Sequence, residues 1–188
     1  MKHAAYLIAC VLPLAACNKQ PEVKATNASV EEVAQKMSAA SNGQSFVRPG
    51  LWQSKVTIEQ VDMPGMPPEI AQRMNQTMAR NQPHEYSSCL TSEDVKRPKE
   101  DFFAGKHNEC RYDHFTMSGG KIDAIMRCKG GGGAQTMELK GTYSPDSYQM
   151  QMSTKAESGD PNEGGMAMRM RVDAHRVGEC TAKTVSAK

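Results

Sequence analysis

Cysteine and methionine are the residue types in this sequence best able to carry chemistry. The 188-residue chain contains six cysteines and 14 methionines. Four cysteines beyond the N-terminal third of the chain could form two disulfides or hold a metal ion; they are Cys89, Cys110, Cys128 and Cys180. No two of them have the two-residue separation of a zinc knuckle, and His107-x-x-Cys110 stands alone. The spacing therefore favours two disulfides over a metal site.

The methionines are the second candidate, because a thioether is a soft ligand that favours Cu(I). Three groups have close spacings: Met63-x-x-Met66, Met150-x-Met152 and Met166-x-Met168-x-Met170. The last two groups alternate with polar residues, which is typical of the core face of a strand. We interpret those methionines as core residues, with Arg169 and Arg171 facing outward. Only Met63 and Met66, in a proline-rich stretch, are expected to be exposed, and they are the alternative metal ligands. We expect no cofactor.

Catalytic side chains form no constellation in the sequence. There is no Gly-x-Ser-x-Gly motif, and the carboxylates cluster only in predicted loops. The histidines that could act as bases are scattered: His84, His107, His114 and His175. With 23 basic and 21 acidic residues, the chain shows no preference for nucleic acid or another polyanion. We therefore expect neither an enzyme nor a nucleic-acid-binding protein.

The first 17 residues indicate export. Lys2 and His3 precede a mostly apolar run, Ala4 to Ala16, which is too short to span a bilayer and reads as a signal peptide over residues 1–16. The run ends in Leu14-Ala15-Ala16-Cys17, which resembles the bacterial lipobox. That resemblance implies that Cys17 becomes the acylated first residue of the mature chain. The alternative is an ordinary secretory peptide with Cys17 as a plain thiol.

The resemblance also implies a location. In lipoproteins with this motif, an aspartate after the cysteine resembles an inner-membrane retention signal, and Asn18 stands there instead. We expect a lipid-anchored protein of the bacterial outer membrane, facing the periplasm. That compartment is oxidising, which favours the two disulfides.

Cys110 and Cys128 bound a predicted β-hairpin with Gly119-Gly120 as a two-residue type I′ turn, because glycine tolerates φ > 0. This register sets Phe115 opposite Ala124 and Asp113 opposite Met126. It also points Cys110 and Cys128 to opposite faces, so that they cannot bond.

The bridges that follow from this register are Cys89–Cys110 and Cys128–Cys180. A three-residue turn would instead set Cys110 opposite Cys128. It would also set Arg111 opposite Arg127, and like charges opposed across a sheet are unfavourable.

The remaining pattern predicts a mainly β protein: a curved antiparallel sheet or sandwich of six to seven strands with one amphipathic helix packed on it. Residues 17–45 are predicted to be a polar tether carrying a short helix with a capping box at Ser29 to Glu32. The domain is predicted to span 46–180, followed by a polar tail, 181–188. Predicted strands include Leu51–Glu59, with Trp52 as a core anchor, and His84–Leu90.

The amphipathic helix is predicted over Glu69–Arg80, after Pro68 in its first turn. Ile70, Met74 and Met78 form its apolar stripe, which is expected to pack on the sheet. The same stripe is the candidate surface for a partner or ligand.

The order of these features resembles the exported proteins grouped as domain of unknown function 3617. The lipobox is followed by Pro-Gly-Leu-Trp, Cys-Leu-Thr, the cysteine-bounded hairpin, Gly-Thr-Tyr and Gly-Glu-Cys, and the resemblance covers Pro49 to Cys180. It implies an envelope location and paired cysteines, and it brings no catalytic residues. We expect a lipid-anchored, non-catalytic envelope protein that binds a partner protein or a small apolar ligand. The alternative is a methionine-rich Cu(I)-binding envelope protein.

Overall fold

The computed structural model describes residues 22–41, 45–80, 84–96, 109–130, 133–158 and 165–181. The strands are β1 Val23–Ser29, β2 Gly50–Asp62, β3 His84–Leu90, β4 Glu109–Ser118, β5 Lys121–Gly130, β6 Gly133–Ser144, β7 Ser147–Ser158 and β8 Met166–Gly178. The helices are α1 Val30–Ala40, α2 Pro68–Arg80 and α3 Ser92–Lys96.

All eight strands form one open antiparallel sheet in the order β1-β4-β5-β6-β7-β8-β2-β3. The predicted fold class is confirmed, as a single sheet with one strand more than the upper prediction of seven. β3 and β4 follow one another in the sequence but lie six positions apart in the sheet. The chain between them, 97–108, lies outside the described residues, and so does the prediction that Phe102 and Phe103 pack on the core.

The predicted tether is wrong for 23–40, because these residues are part of the fold. β1 pairs with β4, and α1 packs back against both strands. Val23 and Val33 are only 2% and 3% exposed. The helix start was correctly predicted: Ser29 Oγ accepts from the Glu32 amide at 3.1 Å, and Glu32 Oε2 accepts from the Ser29 amide at 2.6 Å.

The alternation of buried and exposed residues in β1 is interrupted at Asn27, so the sequence does not predict this strand. Val23 and Ala25 face the core, and the next buried residue is Ala28, three positions on instead of two. Asn27 is the additional residue, and its φ of 49° lies in the left-handed region that asparagine tolerates. The alternation is therefore too short to be recognised as a strand.

The β4–β5 hairpin has the predicted turn, with Gly119 and Gly120 at φ 57° and 75°. Phe115 faces Ala124 as predicted. Beyond this pair a β-bulge at Asp113 shifts the register, so that Met126 faces Tyr112 and not Asp113.

The bulge at Asp113 determines which cysteines are bonded to each other. It brings Cys110 directly opposite Cys128, with their Cα atoms 4.0 Å apart, and the two are bonded. The second bridge is Cys89–Cys180, with a Cα–Cα distance of 5.6 Å. The predicted pairs Cys89–Cys110 and Cys128–Cys180 are therefore wrong, although the predicted turn is right.

The same shift sets Arg111 opposite Arg127, the arrangement that charge repulsion should disfavour. Each guanidinium has an acceptor supplied by an irregular residue. Arg127 Nε donates to Asp113 Oδ2 at 2.6 Å, and Arg111 Nε donates to Asn27 Oδ1 at 3.2 Å. The bulge thus moves the cysteines together and also offsets the repulsion between the arginines.

Trp52 is the predicted core anchor, at 1% exposure. Its Nε1 donates to the Arg48 carbonyl at 3.0 Å, and its ring stacks on Tyr148 with centroids 5.5 Å apart. Ser54, on the same face of β2, is 2% exposed, and its side chain forms a hydrogen bond with that of Tyr148. This group forms the core at one end of β2.

Tyr112 gives a prediction for alkaline pH. The ring is 5% exposed, and burial raises the pKa of its hydroxyl to about 12. Since the unfolded chain loses this proton near pH 10, the contribution is complete below pH 10 and is lost between 10 and about 12. We expect about 2–3 kcal/mol of unfolding free energy to be lost over that interval. Urea titrations at pH 9 and 11 should show a smaller drop for Tyr112→Phe; an equal drop would contradict the assignment to Tyr112.

Candidate ligand-binding face

Within the part of the chain that the structure describes, helices cover only part of the apolar face of the sheet. α1 packs mainly against β1 and β4, α2 against β2, and α3 against β3. Eight apolar side chains on β6, β7, β8 and β2 are half-buried in consequence. We call them the methionine face: Val56, Ile58, Met137, Met150, Met152, Met168, Met170 and Val172.

These side chains form contiguous rows across the strands. In one row Met152 of β7 faces Met170 of β8, which faces Ile58 of β2. In the adjacent row Met150 faces Val172, which faces Val56. Directly opposed side chains in a sheet have Cβ atoms about 4.5–5.5 Å apart, so each row is a continuous apolar strip.

A third, mixed row contains Met137, Thr154 and Met168 on neighbouring strands. The sequence gives no separate signal for Met137, which becomes part of the face through its place in the register. None of the eight side chains is ionisable. The face can therefore offer van der Waals contact and soft sulfur, and it has no acid or base.

Gly141 on β6 leaves room for the side chain of Met150 because it has no side chain of its own. A Cβ there would lie 2.2 Å from the Gln149 carbonyl oxygen and 2.7 Å from Met150 Sδ. The missing side chain lets the Met150 thioether lie over β6, joining the methionine face to the buried core around Leu139, which is 6% exposed.

The predicted alternation along β8 is confirmed, but the predicted burial is not. Arg169 and Arg171 are exposed on the other face, where Arg171 Nε donates to Asp173 Oδ2 at 2.9 Å. Met168 and Met170 are only half-buried, and Met166 is 41% exposed. Alternation shows which residues share a face and does not show whether another element covers that face.

The alternative metal ligands also differ from the prediction. Met63 and Met66 are half-buried rather than exposed. Their loop is closed by a hydrogen bond from the Met66 amide to the Met63 carbonyl at 3.1 Å. This backbone turn positions the two residues and gives no sign of a ligand set.

The stripe of α2 is only partly buried. Ile70 is 53% exposed, while Met74 and Met78 are half-buried, so the predicted packing on the sheet is only partial. The helix is fixed to β2 by Asn75, whose Oδ1 accepts from the Val61 amide at 3.3 Å. The helix therefore borders the methionine face at the far end of β2 without covering it.

The opposite face of the sheet is polar and carries charges of both signs. A shallow depression of about 320 Å³ there has Arg127, Lys155 and Arg169 beside Glu138 and Glu157. The described residues contain no group of three or more histidine, cysteine or acidic side chains able to hold a metal ion.

The predicted histidines are not brought together. His84 lies on β3, His114 on β4 and His175 on β8, while His107 is outside the described residues. His114 is paired with Asp123 on the polar face. Within the described part of the chain, no helix is long and apolar enough to cross a membrane.

Burial predicts an order of oxidation. Met166 is 41% exposed, whereas Met117 and Met126 are 5% and 2% exposed in the core. Mild peroxide should oxidise Met166 first, Met168 and Met170 more slowly, and the two core methionines last, because sulfur must be accessible to react. Peptide mass spectrometry over time measures the order. Oxidation of Met117 or Met126 as fast as Met166 would contradict the burial described here.

The fold and its half-covered face define an antiparallel sheet protein with an apolar surface and no catalytic cluster among its described residues. The chain belongs to the family described as Protein of unknown function (DUF3617), whose model matches residues 47–180. No curated protein and no solved structure matches the chain. β1 and α1 precede the matched range, so this chain extends the sheet beyond it.

Proposed function

We propose that this protein is a lipid-anchored envelope protein that holds an apolar ligand, such as an acyl chain, on the methionine face. The observation that carries the proposal is the contiguous, half-buried apolar surface on β6, β7, β8 and β2. Exposed contiguous apolar surface in a folded protein marks a site of interaction. Methionine suits a ligand of variable shape, because its side chain is flexible and polarisable.

The expected affinity is modest. Each fully buried methylene contributes about 0.8 kcal/mol. A chain of roughly 16 carbons that lies on an open surface, with about half of its area covered, would gain about 6 kcal/mol, which corresponds to a Kd of tens of micromolar. Such a site holds a ligand reversibly.

The anchor rests on the N-terminal sequence. Leu14-Ala15-Ala16-Cys17 ends an apolar run of signal-peptide length, and two disulfides suit an oxidising compartment. With Asn18 after the cysteine, the outer membrane facing the periplasm is the proposed location. Metabolic labelling with a clickable fatty acid tests the modification. Label that persists in Cys17→Ser would exclude Cys17 as its site.

Binding of a fluorescent fatty acid tests the ligand. Replacing Met152 and Met170 together with glutamine, which is of similar length but polar, should weaken binding at least about tenfold, because both partners of the central row lose apolar contact. The double leucine variant should bind like the natural protein. Met74→Gln on α2 is the matched control for the chemical change. Unchanged binding by the double glutamine variant would contradict the proposal.

Copper is a second candidate, favoured by one observation. Met152 lies opposite Met170, and Met168 lies two residues along the same strand, so three thioethers share one surface. Cu(I) needs the sulfur, whereas an acyl chain needs only apolar contact. The double leucine variant therefore separates the two: loss of Cu(I) affinity with retained fatty-acid binding would identify a metal site. Met63→Leu with Met66→Leu tests the loop in the same way.

A protein partner is the remaining possibility, and it would use a different surface. The stripe of Ile70, Met74 and Met78 on α2 is the candidate. Glutamine at Ile70 and Met74 should leave fatty-acid binding unchanged, which keeps this surface distinct from the methionine face.

A further inference from the structure

The position of β1 limits how far the domain can stand from a membrane anchor. β1 begins at Val23, six residues after Cys17. Six extended residues reach at most about 21 Å. The expected tether of nearly thirty residues is therefore reduced to a short link, and the folded domain begins next to the proposed lipid.

This reach is shorter than the sheet in either direction. β2 and β8 each contain 13 residues, which corresponds to about 43 Å at 3.3 Å per residue. Eight strands span about 34 Å at a spacing of 4.8 Å. A link of this length keeps the side of the sheet that contains Val23 closer to the membrane anchor than the opposite side.

The start of β1 identifies the near end. Val23 pairs with Met117, beside the Gly119-Gly120 turn, so β1 starts where the β4–β5 hairpin turns. The β6–β7 turn at Pro145-Asp146 lies at the same end of the sheet. We call this the anchor end.

Backbone hydrogen bonds tie the anchor end into one unit. The Arg48 amide donates to the Pro145 carbonyl at 2.7 Å, and the Arg176 amide donates to the Asp146 carbonyl at 2.9 Å. The hairpin tip is joined to the same unit by the Tyr143 amide, which donates to the Gly120 carbonyl at 2.8 Å.

The chemistry of the anchor end suits a lipid surface. Lys121 is exposed at the hairpin tip, and Val177 near the end of β8 is 48% exposed. Two carboxylates there are paired with arginine, Asp146 with Arg48 and Glu179 with Arg176. Pairing lowers the repulsion that these carboxylates would exert on phosphate headgroups.

We propose that the anchor end docks on the bilayer surface, so that the strands rise from the membrane and the row of the methionine face that contains Met150, three residues beyond the start of β7, lies nearest the lipids. This rests on the proposed acylation of Cys17. In this orientation, membrane acyl chains are the nearest source of an apolar ligand for the methionine face.

Photocrosslinking from single positions tests the orientation. The lipidated full chain is incorporated into vesicles of phosphatidylethanolamine and phosphatidylglycerol. p-Benzoylphenylalanine replaces Lys121 at the anchor end, Glu85 on the opposite edge strand, or Glu157 near the opposite end of β7; all three residues are exposed. Lys121 should crosslink to lipid several-fold more than either of the others. Equal crosslinking from Glu85 or Glu157 would overturn the orientation.

Two controls separate this inference from the proposed function. Ten glycine and serine residues inserted after Lys19 should reduce crosslinking at position 121 to the level at 85, because the anchor then no longer restricts the domain. Undiminished crosslinking would overturn the role of the short link. If Cys17 carries no fatty-acid label, the orientation and the proposed anchor both fail. If Cys17 is labelled but position 121 is not preferred, only the orientation fails.

Discussion

Non-reducing peptide mapping is expected to recover Cys89 joined to Cys180 and Cys110 joined to Cys128. The first bridge links the end of β3 to the chain after β8, across a sequence separation of 91 residues. The second joins facing positions of one hairpin, across 18 residues. Peptides joining Cys89 to Cys110 would contradict both the bulge at Asp113 and the sheet order.

Loss of these bridges should have the largest effect on stability. On the chain-entropy model the longer loop contributes about 4–5 kcal/mol and the shorter about 3 kcal/mol. Their sum is comparable with the whole free energy of unfolding of many domains, about 5–15 kcal/mol. We therefore expect the reduced protein to be unfolded, or close to it, at 37 °C.

Paired alanine variants separate the two contributions. Cys89→Ala with Cys180→Ala should lower the free energy of unfolding more than Cys110→Ala with Cys128→Ala, as measured by urea denaturation. The reverse order would show that packing around the buried Cys110–Cys128 pair outweighs loop length.

Trp52→Ala should have the second largest effect, a loss of about 3–5 kcal/mol of unfolding free energy. The substitution leaves a cavity in a site of 1% exposure and removes the ring that stacks on Tyr148. It also leaves the Arg48 carbonyl without its indole donor. Urea denaturation followed by far-ultraviolet circular dichroism measures the loss.

Trp52→Phe is the matched control, because it keeps an aromatic ring and loses the donor and part of the volume. It should lose less than half as much as alanine. Equal losses for the two variants would mean that the hydrogen bond to Arg48, and not packing, dominates at this position.

Local signals in the sequence were sufficient for several elements. The Ser29 capping box, the Gly119-Gly120 turn and the alternation along β8 each depend on a few neighbouring residues, and the structure has all three. The Trp52 anchor was predictable for the same reason, since its strand alternates clearly. In each case the physical cause lies within one element.

The disulfides and β1 could not be read in the same way. One extra residue at Asp113 reverses the face of the hairpin on which each earlier residue of β4 lies. An aspartate at this position does not by itself indicate that a bulge forms there. Asn27 has the same effect on β1. The exposure of the methionine face depends on where α1 and α2 pack, which is a property of the whole sheet and not of the alternating strands.

Nuclear magnetic resonance of methionine methyl groups, labelled with carbon-13, tests most directly whether the methionine face binds an apolar ligand. On titration with a 16-carbon fatty acid, the methyl signals of Met150, Met152, Met168 and Met170 should shift together with a single Kd of tens of micromolar. The signal of Met117, which is buried in the core at 5% exposure and lies opposite Val23 on β1, should not move. Unchanged signals from the four face methionines, or shifts confined to Met74 and Met78 on α2, would contradict the proposed function.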